Sequence, residues 1–103
     1  MAQVSRNTMD RPKVEQQLVS YVDVLTSATA TCECPETQRE YEERLQRAKQ
    51  LLARWRGGSS QDYLKGALML ELGLYESARL SGSEVEYVGR AFGELCRTIR
   101  VAI

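Results

Sequence analysis

The three cysteines, Cys32, Cys34 and Cys96, are the residues whose chemistry is most readily named. Paired zinc ligands are usually separated by two or more residues, but only one residue separates Cys32 from Cys34. The chain also has no histidine that could complete a metal site. An odd number of cysteines makes a poor disulfide framework. The pattern favours ordinary reduced thiols over a metal site or a redox switch, and it predicts no cofactor and a cytoplasmic location.

The absence of histidine also limits catalysis. Without this residue the chain cannot form a Ser-His or Cys-His nucleophile pair, and it lacks the commonest general base. The adjacent glycines Gly57 and Gly58 are not followed by the Lys-Ser/Thr of a phosphate-binding loop. We therefore expect a protein that is not an enzyme and that has no small-molecule substrate.

Apolar residues recur at steps of four and three along four segments of the chain, which places them on one face of a helix. No segment of any length alternates as a strand would. The sequence therefore predicts an all-α fold. The apolar positions are Val14, Leu18, Tyr21, Leu25 and Ala28; Tyr41, Leu45, Ala48, Leu52 and Trp55; Tyr63, Leu64, Ala67, Leu68, Leu70, Leu74, Tyr75 and Ala78; and Val85, Val88, Phe92, Leu95, Ile99 and Ala102.

Short breaks separate the four segments. We expect the first loop at residues 30–35, and a C-cap at Gly57 followed by a helix start at Ser59. Short loops join antiparallel neighbours, so the sequence predicts an antiparallel, up-down four-helix bundle. Residues 1–9 are polar and aperiodic and are expected to be a disordered tail, with residues 10–103 forming a single domain.

Glu71 is a carboxylate in the middle of the third apolar stripe. An unpaired buried carboxylate costs several kcal/mol, so it should be neutralised or hydrogen-bonded. We favour a structural ion pair or a bond to a tyrosine hydroxyl. Rotation of the helix toward solvent, and a functional role in a pocket or interface, remain alternatives. The neighbours on the helical wheel are Leu64, Ala67, Tyr75 and Ala78.

Two further features suggest contact with another helix. Met69 and Leu72 lie opposite the third stripe, so that helix is apolar nearly all round and is expected either to be central or to contribute to a dimer interface. Gly89 and Gly93 lie one turn apart on the edge of the fourth stripe, a spacing that permits close helix–helix approach or that arises by chance. Together with Glu71, these four are the candidate interface residues.

Arg44, Arg47 and Arg54 share one flank of the second helix and are the candidate nucleic-acid contacts. A row of basic residues on a rigid helix could bind the backbone of double-stranded RNA or DNA. Glu40 and Glu43 each precede an arginine by four residues, the favoured order for ion pairs on a helix surface. A solvated and largely neutralised charged face is therefore the more favoured interpretation.

The sequence as a whole best fits a protein–protein interaction module, such as a small adaptor, regulator or assembly factor, that acts as a homodimer. Fourteen basic residues balance fourteen acidic ones, which argues against a dedicated nucleic-acid binder. Nucleic-acid binding by a helical dimer and a place in a larger structural assembly are the two alternatives. No segment is long and apolar enough to span a bilayer, so no membrane partner is expected.

Overall fold

The structure, a computed structural model, describes residues 10–77 and 84–100. The predicted all-α bundle is confirmed, and the described residues contain no strand. The expected disordered tail at residues 1–9 lies outside the described residues, as do the predicted apolar positions Ala78 and Ala102. The four helices are α1 (Arg11–Thr31), α2 (Pro35–Arg56), α3 (Gln61–Ser77) and α4 (Glu84–Thr98).

Side-chain contacts between helix ends establish the antiparallel order. The start of α1 meets the end of α2, and the end of α1 meets the starts of α2 and α4. The end of α2 likewise meets the start of α3. The contacts are Arg56–Glu15 at 2.8 Å, Gln38–Thr29 at 2.9 Å, Thr31–Glu84 at 3.5 Å and Arg54 over the ring of Tyr63 at 5.5 Å.

Local hydrogen bonds account for the helix ends. The Asp10 side chain caps α1 by accepting from the backbone N–H of Lys13 at 3.3 Å. α1 continues to Thr31, beyond the predicted loop start, and at its C-cap the backbone N–H of Cys32 donates to the Ala28 carbonyl at 2.9 Å. The helix start expected at Ser59 lies one residue later, where Ser60 Oγ accepts from the backbone N–H of Tyr63 at 3.0 Å.

The first helix, rather than the third, is central to the bundle. Its whole apolar stripe is buried, and it packs against both α2 and α4. α3 instead leaves several large apolar side chains exposed. The expectation that helix three is central is therefore wrong for the described chain. The buried stripe of α1 consists of Val14, Leu18, Tyr21, Leu25 and Ala28.

The Arg11 side chain links the start of α1 to the end of α2. Its guanidinium stacks 3.6 Å above the Trp55 ring and donates to the carbonyls of Trp55 at 2.8 Å and Ser59 at 3.0 Å. The indole N–H of Trp55 donates to the Arg11 carbonyl at 3.2 Å. The cation thus satisfies carbonyls at the negative end of the α2 dipole. None of the described helices is both long and apolar enough to cross a membrane.

Truncating Arg11 should measurably destabilise the bundle. Arg11→Ala removes two charge-assisted hydrogen bonds and a cation–π contact, so we expect the free energy of unfolding to fall by about 1–2 kcal/mol. Lys13→Ala, at an exposed position on the same turn, should change it by less than about 0.5 kcal/mol. Urea denaturation measures the free energy of unfolding of both variants. Equal losses in the two would contradict a stabilising contact between Arg11 and the end of α2.

Candidate interaction surface

Glu71 is buried, with 4% of its surface exposed, and it receives two arginines from α2. Arg47 binds it through two parallel hydrogen bonds, Nε to Oε1 at 2.8 Å and a terminal nitrogen to Oε2 at 3.0 Å. Arg44 adds a third contact to Oε2 at 3.4 Å. The favoured interpretation, a structural ion pair, is confirmed, and the alternative of rotation toward solvent is wrong.

Arg44 is fully buried, which its position on a charged helix did not indicate. Its guanidinium contacts the Glu40 carboxylate at 3.3 Å and donates to the Leu74 carbonyl at 3.4 Å. It also stacks 3.6 Å above the Tyr75 ring. Two carboxylates and one aromatic face therefore compensate for the desolvation of this cation.

An aromatic chain continues from this ion pair to the other two helices. The Tyr75 ring stacks on Phe92 of α4 with centroids 4.4 Å apart, and Phe92 lies 5.6 Å from the Tyr21 ring of α1. The hydroxyls of Tyr21 and Tyr75 are hydrogen-bonded at 2.9 Å. Burial raises the pKa of Tyr75 to about 12 and that of Tyr21 well above 10. All four helices thus meet at one polar and aromatic cluster.

The contacts of this cluster engage two of the three arginines that were predicted to bind nucleic acid. Arg44 is inaccessible, and Arg47 is held by Glu71 rather than by Glu43, the acid expected from the i,i+4 spacing. The hydrogen bond to Glu71 raises the pKa of Arg47, so its charge is retained and already compensated within the chain. Arg54 alone is exposed. The three arginines therefore do not form a continuous phosphate-binding surface.

α3 carries two adjacent stripes, each with steps of four, three and four residues. The buried stripe packs into the bundle. The exposed stripe includes Tyr63 at 45%, Leu70 at 76% and Leu74 at 42% exposure. The buried stripe is Leu64, Leu68, Glu71 and the half-buried Tyr75; the exposed stripe is Tyr63, the half-buried Ala67, Leu70 and Leu74.

A groove of about 300 Å³ separates the exposed stripe from α2. Its apolar lining includes Leu51 of α2 together with the exposed stripe. Its polar lining consists of Gln50, Arg54 and the ion-paired Arg47 and Glu71. Apolar grooves with a polar rim are typical sites for an amphipathic helix. The arrangement can thus bind a helix, and the large exposed side chains supply its apolar contacts.

The two apolar interface candidates on α3 lie in different environments, and their role in an interface remains a prediction. Leu72 is half-buried and packs against the chain's own core, so it does not extend an outward apolar face. Met69 is 61% exposed but lies on the flank away from the groove. The other large exposed apolar side chains of α3 are Tyr63, Leu70 and Leu74, and unlike Met69 these three line the groove. Their heptad spacing, separate from that of the buried stripe, was the sequence signal that could have identified them.

Gly89 and Gly93 do not mediate a close helix contact within the described chain. A side-chain carbon built at Gly89 would meet no atom within 4 Å, and one at Gly93 would meet only Arg97 of the same helix at 3.8 Å. Both glycines are half-buried. Their role as interface residues remains a prediction.

Cys32 and Cys96 are buried, and Cys34 is partly exposed. All three are thiols outside disulfide bonds, and burial raises the pKa of Cys96 to about 11, which keeps it protonated at neutral pH. Within the described residues, no group of three cysteine or carboxylate side chains is placed to hold a metal ion.

No protein-family model matches the chain, and neither a curated protein nor a solved structure matches it. The functional argument therefore rests on the geometry of this surface.

Replacing Glu71 tests the ion pair. Glu71→Leu leaves buried Arg44 without its carboxylate from α3, so we expect a loss of about 3–5 kcal/mol in the free energy of unfolding. Adding Arg44→Met should restore much of that loss, because the stranded charge is then removed as well. Glu43→Gln, at an exposed site on α2, should change stability by less than about 0.5 kcal/mol. If Glu71→Leu lowers the free energy of unfolding only slightly, and adding Arg44→Met restores none of the loss, the structural role of the ion pair is contradicted.

Alkaline titration tests the buried tyrosines. Three of the five, Tyr21, Tyr41 and Tyr75, have raised pKa values, with those of Tyr41 and Tyr75 at about 12. Because the folded state holds these protons more tightly than the unfolded state, their stabilising contribution is complete below pH 10 and is lost as pH rises through 12.

Urea midpoints measured from pH 9 to 12 should therefore fall, and Tyr75→Phe should make the decline shallower. Absorbance of tyrosinate in the folded protein provides an independent measurement. Ionisation of all five tyrosines together near pH 10, with the chain still folded, would contradict the burial of these hydroxyls.

Proposed function

We propose that this chain is a non-enzymatic protein–protein interaction module that acts as a homodimer through the groove between α2 and α3. The observation that carries the proposal is the exposed stripe, with its large apolar side chains at heptad spacing beside an open groove. A small adaptor, regulator or assembly factor would use such a surface. A second copy supplies an occupant of suitable chemistry, because its own α3 is an amphipathic helix with the same stripe.

Magnitudes indicate how strong this association should be. Two copies bring six large side chains into contact, and because each is only partly exposed, their burial contributes about 5–10 kcal/mol. Loss of translational and rotational freedom on association costs about 4–15 kcal/mol. At most about 6 kcal/mol remains after this cost, so we expect a weak dimer with a dissociation constant of tens of micromolar or higher. A formal net charge of zero means that long-range repulsion does not oppose it.

The proposal includes a reducing compartment, such as the cytoplasm. The support is that all three cysteines are thiols outside disulfide bonds, two of them buried in the fold. A small-molecule substrate and a cofactor form no part of the proposal.

Nucleic-acid binding is a less supported alternative. The burial of Arg44 and the pairing of Arg47 with Glu71 leave Arg54 as the one exposed member of the predicted row. A role as a subunit of a larger assembly has no specific observation in its favour. Ile99, near the end of the described chain, is buried in the bundle and so does not offer an apolar contact to a neighbouring subunit.

A pair of adjacent substitutions on α3 tests the homodimer. Leu70→Glu places a charge in the proposed interface, where an unpaired carboxylate costs several kcal/mol, so we expect the dissociation constant to rise by at least about 100-fold. Met69→Glu is the matched control, because the same charge is added one residue away on the flank that faces solvent. Light scattering after size exclusion, over a range of concentrations, measures the mass of each variant.

The parent chain and Met69→Glu should be dimers that persist at high salt, since an apolar contact is not screened. Leu70→Glu should be a monomer with an unchanged helical circular dichroism spectrum. A parent chain that remains monomeric at high concentration would contradict the proposal, as would a Leu70→Glu variant with the parent's dissociation constant.

A further inference from the structure

The exposed stripe has a size pattern that is complementary to itself in one orientation. It contains a tyrosine, an alanine and two leucines in chain order. When two copies of the stripe run antiparallel, Ala67 faces Leu70 of the second copy, and Tyr63 faces Leu74. Ala67, the one small residue of the stripe, then meets Leu70, its most exposed side chain. Parallel copies would place Ala67 against Ala67 and Leu70 against Leu70. The alanine pair would leave a gap, and the leucine pair beside it would be crowded.

Charge favours the same orientation. Arg54 lies over Tyr63, so its cation is at the amino-terminal end of the stripe. Antiparallel pairing brings this cation to the carboxyl-terminal end of the second copy's α3, where the helix dipole is negative. Parallel pairing would bring two Arg54 side chains together. From Tyr63 to Leu74 the helix rises about 16 Å, so antiparallel pairing keeps them apart by more than the Debye length of about 8 Å.

Two exposed glycines adjoin the exposed stripe on its outer edge. Gly66 and Gly73 are one heptad apart, and a side-chain carbon at either would meet no atom of the chain within 4 Å. Glycine in an exposed helix interior costs about 1 kcal/mol relative to alanine. No contact within the described fold requires glycine at these two positions, whereas close approach of a second helix does. In the antiparallel arrangement Gly66 lies across from Gly73 of the second copy.

We infer that two copies of this chain pair α3 against α3 in antiparallel orientation, with Tyr63 facing Leu74 and Ala67 facing Leu70 across a two-fold axis. The inference rests on the proposed homodimer and adds its orientation and register. The interface is isologous, so each contact occurs twice. The α2 rims flank the paired helices on either side, and the outer glycines permit close contact of the two backbones.

Disulfide trapping between two variants tests the register. One protein carries Tyr63→Cys, the other carries Leu74→Cys, and an affinity tag on one gives them different masses. After mixing and mild oxidation, we expect a mixed disulfide between positions 63 and 74, because facing positions bring the β carbons within the range that a disulfide spans. Each variant alone should form several times less covalent dimer. The parent chain, oxidised in parallel, measures the background from Cys32, Cys34 and Cys96.

Peptide mass spectrometry identifies the joined positions, and light scattering on the unoxidised parent measures dimerisation separately. Homodisulfides at 63–63 and 74–74 without the mixed product would overturn the antiparallel register and leave the homodimer intact. A dimeric parent with no trapping above background at either position would overturn α3 as the paired element. A monomeric parent would overturn the proposed function itself.

Discussion

The ion pair between Glu71 and the two α2 arginines determines how the third helix sits on the bundle. A carboxylate in an apolar stripe can be buried only when its charge is compensated, and Arg44 and Arg47 meet that requirement from a single neighbouring helix. An apolar pair of similar volume could be equally stable, so we interpret the contribution of these charges as geometric. They select one rotation and one register of α3, because any other would leave a buried charge without an ionic partner.

That rotation has a direct consequence for the surface. With Glu71 and Tyr75 turned inward, the second stripe of α3 is turned toward solvent beside α2. The aromatic stack on Phe92 and the Tyr21 hydroxyl hold the same orientation from α4 and α1. The exposed stripe is thus presented by a helix that is fixed along the adjacent stripe, which limits the entropy lost when a partner helix binds. This is the physical basis of the proposed interaction module.

Periodicity predicted the four helices and the buried face of α1, because these depend on local spacing and on the cost of exposing apolar surface. It predicted most of the buried face of α4, but Val85 is exposed. It favoured an ion-paired Glu71 without excluding rotation toward solvent. It did not predict the full burial of Arg44, whose environment is formed by Tyr75 and Glu71 from elsewhere in the chain. It also failed to choose between the faces of α3. Two apolar stripes of equal period differ only in what packs against them, and Met69 was favoured over Leu70 for that reason.

The most direct test of this account compares the two stripes of α3 in one sample. Methyl NMR spectra of the parent chain, recorded during dilution, report on each leucine separately. The account predicts concentration-dependent shifts for Leu70 and Leu74, and constant shifts for Leu64 and Leu68, which pack inside their own bundle. The Met69 methyl is an internal reference that should also stay constant. Shifts confined to Leu64 and Leu68, or no shifts at any concentration, would contradict the claim that α3 presents one stripe to its own core and the other to a second copy.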